Sequence, residues 1–134
     1  MFENLFTNFF KNGNRMFRNR SAGNYRNYLN YKLINFETAK DYIENNKVLL
    51  LDVRSEGEYS LMHIQNAINM PVEEIEKQIL IYEQTQPIMV YCSSGSRSKN
   101  AIIILNQLGY NNIYIWEYGS LANFPYKNMI VYNK

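Results

Sequence analysis

Apolar positions along the chain fall into short runs that are separated by polar and helix-like segments. The clearest run, VLLLDV at 48–53, is apolar without alternation until Asp52. Such continuous runs are typical of strands that are buried on both faces of a parallel sheet. We predict four further strands, at 32–35, 67–71 (AINMP), 88–92 (IMVYC) and 112–117 (NIYIWE).

The segments between these strands have helical patterns. Asn35 is a suitable N-cap for a helix over 36–46, and Gly109 suits the C-terminus of a helix over 97–108 that has a wide apolar face. Residues 72–84 combine an apolar stripe with an acidic face, and 55–62 and 120–124 predict short helices. Strands that alternate with helices of these lengths predict an α/β domain with a parallel or mostly parallel five-stranded sheet.

Composition bounds the number of domains. The chain has 134 residues, of which 46% are hydrophobic and 15% aromatic, which suits one folded domain with one sizeable core. The charge is unevenly distributed, because residues 1–30 carry five basic side chains against the single acid Glu3. We therefore divide the chain into a basic, Asn/Arg-rich extension at 1–30 and a slightly acidic domain at 31–134.

The extension has two interpretations. It is either an amphipathic interfacial segment or an Asn-rich stretch that packs loosely. The amphipathic interpretation rests on apolar residues near helical spacing, namely Phe2, Leu5, Phe6, Phe9 and Phe10. In either case its charge would suit an anionic membrane face or an acidic partner. We expect no nucleic-acid partner, because the domain is not basic and has no recognisable recognition element.

The single cysteine, Cys92, bears on the compartment. One cysteine cannot form an intramolecular disulfide, which favours a reducing, cytoplasmic setting. The chain has no apolar run of 18 residues, and its first residues lack the ordered segments of a secretory signal, so we expect neither a membrane span nor secretion.

Candidate chemistry centres on Cys92, which stands where a buried strand ends and a helix begins. The loop between them contains small residues and Gly95, which takes positive φ without penalty, so its N–H groups can turn inward beside the free amides of the helix N-terminus. We predict an anion cradle around the sulfur that favours the reactive thiolate. An inert buried cysteine is the alternative, and Arg97, which we expect to orient an anionic donor, argues against it. The remaining candidates in the loop are Ser93, Ser94, Ser96 and Ser98, the last three as hydroxyl donors.

Four further polar residues, Asp52, Arg54, Glu58 and His63, are assigned supporting or structural roles. Asp52 ends a buried strand and is expected to accept hydrogen bonds from loop amides. Arg54 is expected to form an ion pair with Glu58, four residues on. His63, the only histidine, is interpreted as a turn residue, since the sequence offers no partners for a metal site.

Several ordered motifs resemble the rhodanese (sulfurtransferase) family over about residues 31–124. CSSGSRS (92–98) is similar to that family's Cys-x-x-Gly-x-Arg loop, and LLLDVRSEGEYSLMHIQNAINMP (49–71) is similar to its Asp-Val-Arg segment and the turn after it. LGYNNIYIWEYGSLANF (108–124) resembles its closing segment. The resemblance implies helices on both faces of the central sheet.

The resemblance also implies a reaction that needs no cofactor or metal. Cys92 would take a sulfane sulfur from a small-molecule or protein donor, such as thiosulfate or a persulfide, and pass it to a thiol or to cyanide. The six residues from Cys92 to Arg97 resemble the sulfur-transferring members, whereas the related phosphatases have one residue more. A phosphatase or arsenate reductase is therefore disfavoured.

The sequence departs from the family pattern at three points. Asn66 replaces a glycine in the turn, and Tyr118-Gly119 stands in place of paired glycines. Ser93 occupies a position where many members have a basic residue, which leaves less positive charge to attract an anionic donor. The alternative function is a catalytically weak rhodanese-like carrier or protein-interaction module.

Overall fold

The computed structural model of the protein describes residues 17–18 and 28–133. Most of the basic extension, including its apolar positions from Phe2 to Phe10, lies outside the described residues. The strands are β1 (Phe17–Arg18), β2 (Tyr28–Leu29), β3 (Lys32–Leu33), β4 (Leu49–Asp52), β5 (Met62–Ile64), β6 (Ile68–Asn69), β7 (Ile88–Tyr91), β8 (Ile113–Ile115) and β9 (Ile130–Tyr132).

A five-stranded sheet in the order β3-β8-β7-β4-β6 forms the centre of the fold. Every neighbouring pair in it is parallel, and its strands are the five that the apolar runs predict. The α/β prediction with a central parallel sheet is therefore confirmed. In such a sheet all carboxyl ends lie at one edge, where the loop after β7 begins.

The described residues form four α-helices: α1 (Phe36–Glu44), α2 (Glu56–Leu61), α3 (Ile75–Gln78) and α4 (Ser96–Gln107). Asn35 caps α1 by accepting the N–H of Thr38 at 2.8 Å, as predicted. Gly109 follows α4 with φ of 93°, the left-handed conformation that ends many helices. Single 3₁₀ turns lie at Val72–Glu74, Ile79–Ile81, Glu117–Gly119, Leu121–Asn123 and Lys127–Met129.

Two apolar clusters cover the two faces of the sheet. Alternate residues of a strand point to opposite faces, so Leu51 and Val90 join one cluster while Leu50 and Met89 join the other. The first cluster contains the buried side of α4, and the second contains that of α1. Burial on both faces explains why β4 and β7 have continuous apolar sequences, and it confirms helices on both sides.

The continuous helix predicted at 72–84 is wrong. The segment is a 3₁₀ turn, the short helix α3 and a second 3₁₀ turn, after which Tyr82 becomes extended. The hydroxyl of Tyr110 donates to the carbonyls of Ile79 and Tyr82, at 3.0 and 2.7 Å, and so fixes this end of the segment. Ile81 belongs to no apolar face, since it is 82% exposed.

The sequence pattern also missed a two-stranded antiparallel ribbon, β5–β9. His63, interpreted as a turn residue, lies in β5 opposite Val131. Its ring stacks on Tyr59 with centroids 3.8 Å apart, so it belongs to a strand and not to a turn. The turn that follows β5 contains Asn66 at φ of 69°, a conformation that asparagine tolerates better than most residues.

A smaller ribbon pairs β1 with β2 in antiparallel register. In the part of the chain that the structure describes, no helix combines the length and the apolar character needed to cross a membrane.

Candidate active site

Cys92 follows directly on β7 and is fully buried. Its sulfur accepts two backbone N–H groups, from Gly95 at 2.9 Å and from Ser98 at 3.3 Å. The loop curls around the sulfur because Gly95 has φ of 115°. Glycine adopts this positive φ without steric penalty because it has no Cβ. Two inward amides at the start of α4 form the predicted cradle.

The closing segment holds the backbone of Cys92 from the other side. The N–H of Cys92 donates to the carbonyl of Gly119 at 3.0 Å, and the carbonyl of Cys92 accepts the N–H of Leu121 at 2.7 Å. The same Gly119 carbonyl accepts the buried hydroxyl of Ser98 at 2.8 Å. Sequence reasoning assigned Ser98 to the site but missed that Gly119 and Leu121 hold the backbone of Cys92.

Tyr118 and Gly119 both have positive φ, of 65° and 53°. For a bulky residue such as Tyr118 this conformation is an outlier. Two successive residues with positive φ explain why a pair of glycines would suit this turn. Because Tyr118 stands at the first of these positions, a partly exposed tyrosine lies next to Gly119, which bonds the backbone of Cys92.

Glu58 forms the hub of a second group of contacts. Ser55 and Glu58 make a capping box at the start of α2, in which each side chain bonds the other residue's backbone N–H. The Glu58 carboxylate also accepts hydrogen bonds from both terminal nitrogens of Arg97, at 2.6 and 3.0 Å, and from the hydroxyl of Ser93, at 3.1 Å. The Arg97 guanidinium, with help from Ser55 and Ser93, holds the pKa of Glu58 far below its usual range.

The expected Arg54–Glu58 ion pair is wrong. Arg54 precedes the N-cap Ser55, so it does not lie on the face of α2 that Glu58 occupies, and the spacing rule for helices does not apply. Arg54 instead binds the carboxylate of Asp52 at 2.7 Å, and both side chains are buried.

Asp52 accepts the backbone N–H of Arg54 at 3.0 Å, in line with the prediction that loop amides would satisfy it. A missed residue completes its shell: the hydroxyl of Tyr91 donates to Asp52 at 2.7 Å and accepts the buried N–H of Ile64 at 2.9 Å. Burial first, and the Asp52 charge second, raise the pKa of Tyr91 far above its usual range, so its phenol remains a neutral donor.

The predicted site residues therefore fall into three connected groups around the end of β7. Cys92, Gly95 and Ser98 form the cradle, while Ser93, Arg97 and Glu58 form the second group, which we call the rim cluster. Asp52 and Arg54 form a buried pair at the end of β4. The hydroxyls of Ser94 and Ser96 make no hydrogen bond to the described residues, and both side chains are exposed.

One missed feature had a visible signal. Ser55-x-x-Glu58 is the sequence pattern of a capping box, and it would have assigned the Glu58 carboxylate to the N-terminus of α2. The contact from Arg97 to Glu58 had no local signal, because the two residues lie on different helices.

Solved structures with this architecture include a rhodanese-related protein from Thermoplasma volcanium and a rhodanese with anions from E. coli. The first is 36% identical at a TM-score of 0.57, covering 70% of this chain and 90% of that one. The second is 30% identical at a TM-score of 0.52, covering 63% and 96%.

Similar curated proteins include two sulfurtransferases. Thiosulfate:glutathione sulfurtransferase of Saccharomyces cerevisiae is 32% identical over 102 residues, which cover 65% of this chain and 73% of the yeast protein. Thiosulfate sulfurtransferase PspE of Escherichia coli is 34% identical over 65 residues, covering 47% of this chain and 62% of PspE.

A third relative is a larger protein. The tRNA uridine(34) hydroxylase of Buchnera aphidicola is 28% identical over 120 residues, and the match covers 85% of this chain but only 34% of the hydroxylase. The rhodanese-like domain family matches residues 35–122, and this range includes the cradle and the rim cluster. With that match over most of its length, the chain belongs to the rhodanese-like domain family.

Proposed function

We propose that the protein is a sulfurtransferase that carries sulfur on Cys92. The observation that supports this most directly is the pair of backbone N–H groups, from Gly95 and Ser98, that point at the Cys92 sulfur. Hydrogen bonds from amides to an anionic sulfur are stronger than those to a neutral one, so this arrangement suits the persulfide anion that Cys92 would carry after sulfur uptake.

The N-terminus of α4 adds to this preference. The helix has twelve residues and begins at Ser96, within the loop that surrounds the sulfur. The partial positive charge at a helix N-terminus stabilises a nearby anion, and burial of the site limits the screening by water.

The reaction has two half-reactions. The Cys92 thiolate attacks the sulfane sulfur of a donor, a sulfur–sulfur bond forms, and the bond between that sulfur and the donor breaks with its electron pair leaving on the donor. An acceptor thiolate or cyanide then attacks the outer sulfur and releases the Cys92 thiolate. Because the sulfur is bound covalently between the two steps, ping-pong kinetics are expected.

The relatives support the same chemistry. The names of the E. coli and yeast proteins state transfer from thiosulfate, and both align with this chain over a large part of their own length. The Buchnera relative has a different activity in its name, and this chain spans only about a third of it.

A second candidate function has one observation in its favour. Cys92 is fully buried, so a donor reaches the sulfur only when a neighbouring group moves aside. Of the alternative, a catalytically weak carrier or protein-interaction module, the interaction module would have no need of such access.

Intact mass spectrometry separates the two candidates. The full chain is incubated with several sulfane donors, thiosulfate and cysteine persulfide among them, and compared with Cys92→Ser. We expect the wild type to become one sulfur atom heavier, to return to its original mass when cyanide is added, and the variant to stay unchanged. A wild type that gains no sulfur from any donor would refute the enzyme and leave the interaction module.

A further inference from the structure

The rim cluster has a feature that the reaction itself does not require. Both oxygens of the Glu58 carboxylate face the Arg97 guanidinium, at 2.6 and 3.0 Å, in a bidentate pair. The same carboxylate accepts the Ser55 hydroxyl and backbone N–H, each at 3.0 Å, and the Ser93 hydroxyl at 3.1 Å. Glu58 is thus fixed in place by three residues, and the charge of Arg97 is already matched.

Arg54, a second cation that the structure describes near the site, is also paired. The Nε and Nη2 atoms of Arg54 donate hydrogen bonds to the two carboxylate oxygens of Asp52. The charged side chains bonded around the loop therefore form two ion pairs that sum to zero. Lys99, the next cation along α4, is buried, and this burial lowers its pKa.

Because both of these guanidinium groups are already paired, the site attracts an anion mainly through the dipoles of its backbone N–H groups. The amides of Gly95 and Ser98 and the α4 N-terminus suit one anionic sulfur, that of Cys92. A donor that brings two more negative charges to the loop meets the Glu58 carboxylate, and the two described ion pairs around the loop leave it no unmatched cation. Repulsion at contact distance is large where water is partly excluded.

Building on the proposed sulfurtransferase function, we propose that Glu58 selects the donor: the site takes sulfur from a thiol persulfide, whose transferring end carries at most one negative charge and which reacts as R–S–SH, and discriminates against the thiosulfate dianion. The Cys92 thiolate attacks the outer sulfur of R–S–SH, which yields Cys92–S–SH and the thiolate R–S⁻. The sulfur–sulfur bond of the donor breaks with its electron pair on R–S⁻, so charge and electrons balance without an added oxidant or reductant.

The test compares two donors at equal ionic strength, because salt screens the interaction in question. Cysteine persulfide and thiosulfate are mixed with the full chain, and the rate at which Cys92 gains one sulfur is followed by intact mass. We expect the second-order rate constant to be at least about ten-fold larger with the persulfide. Because the two donors also differ in intrinsic reactivity, the part of this preference that Glu58 causes is measured with a variant of that residue.

Glu58→Gln probes the residue itself. Glutamine retains the capping box, and it removes the charge that neutralises Arg97. We expect the ratio of the thiosulfate rate to the persulfide rate to rise about ten-fold in this variant. Glu56→Gln is the matched control, since it removes the same charge from an exposed position of α2, and it should leave the ratio unchanged.

Each outcome decides one claim. A wild type that uses thiosulfate at least as fast as the persulfide overturns the donor assignment and leaves sulfur transfer standing, and an unchanged ratio in Glu58→Gln overturns the role of Glu58. If that variant does not fold, the wild-type comparison still decides the donor assignment. If neither donor loads Cys92, the sulfurtransferase proposal fails and the donor assignment fails with it.

Discussion

Replacing Gly119 by alanine adds one methyl group where the closing segment meets the cradle. A Cβ at this position would lie 2.4 Å from Cδ1 and 2.7 Å from Cγ1 of Ile115, and 3.3 Å from Cβ of Ser98. Ile115 is buried in the core and cannot swing into solvent. Either Ile115 or the backbone of residue 119 has to move.

The cost has two parts. Overpacking a filled core costs about 1–3 kcal/mol. Alanine at the φ of 53° that Gly119 has adds about 1 kcal/mol, because a Cβ disfavours the left-handed region. We therefore expect Gly119→Ala to lower the free energy of unfolding by about 3 kcal/mol, which for a domain of this size lowers Tm by about 10 °C.

The matched control is Gly57→Ala. It makes the same chemical change in α2, where an added Cβ meets nothing within 4 Å and φ is not positive. Since alanine is the better helix former, this variant should gain about 0.5–1 kcal/mol. Urea titrations of both variants and the wild type measure the difference.

Two results would contradict the reasoning. One is a Gly119→Ala protein within about 0.5 kcal/mol of the wild type, the usual range for harmless substitutions. The other is a Gly57→Ala protein that loses as much stability as Gly119→Ala, which would mean that the cost comes from glycine replacement in general. Because Gly119 fixes the N–H of Cys92, we also expect the folded variant to load sulfur more slowly.

Two further predictions concern buried polar groups. Tyr91→Phe removes a hydroxyl that bonds a carboxylate and a backbone N–H, so it should destabilise the protein by about 3 kcal/mol, whereas Tyr132→Phe, at an exposed position, should change little in the same urea titration. The Glu58–Arg97 pair lowers the pKa of Glu58, so the stability that it contributes is complete above the unfolded pKa of about 4.3 and is lost as the pH falls below it. The difference in unfolding free energy between wild type and Glu58→Gln should therefore be largest above about pH 5 and shrink towards pH 3, and a difference that grows in acid would show that the pair does not stabilise the fold.

The central sheet could be predicted because its information is local. Continuous apolar runs such as that of β4, capping residues such as Asn35 and a glycine at 109 each act over a few neighbouring positions. The segment over 72–84 has an equally helical pattern, yet a tertiary contact from Tyr110 ends it early. The β5–β9 ribbon was missed for a similar reason, because its strands are three residues long and far apart in the chain.

In the site, too, contacts between neighbouring residues could be predicted and contacts between distant segments could not. The cradle could be predicted because Cys92, Gly95 and Ser98 lie within one loop, and the backbone of that loop decides where its amides point. The partners of the two arginines could not be predicted. Arg97 and Glu58 meet only when α2 and α4 are placed on the sheet, and the Arg54 prediction applied helix spacing to a residue outside the helix.

The hydrogen bonds between Cys92 and the segment at 119–121 have a consequence for biosynthesis. A nascent chain emerges from its N-terminus, so the cysteine leaves the ribosome well before the residues that hold its main chain. Until those residues follow, the backbone N–H and carbonyl of Cys92 lack these two partners. The backbone of Cys92 is therefore fixed late, when almost the whole domain has been made, and a fragment that ends before Gly119 would contain Cys92 without the backbone partners that position it.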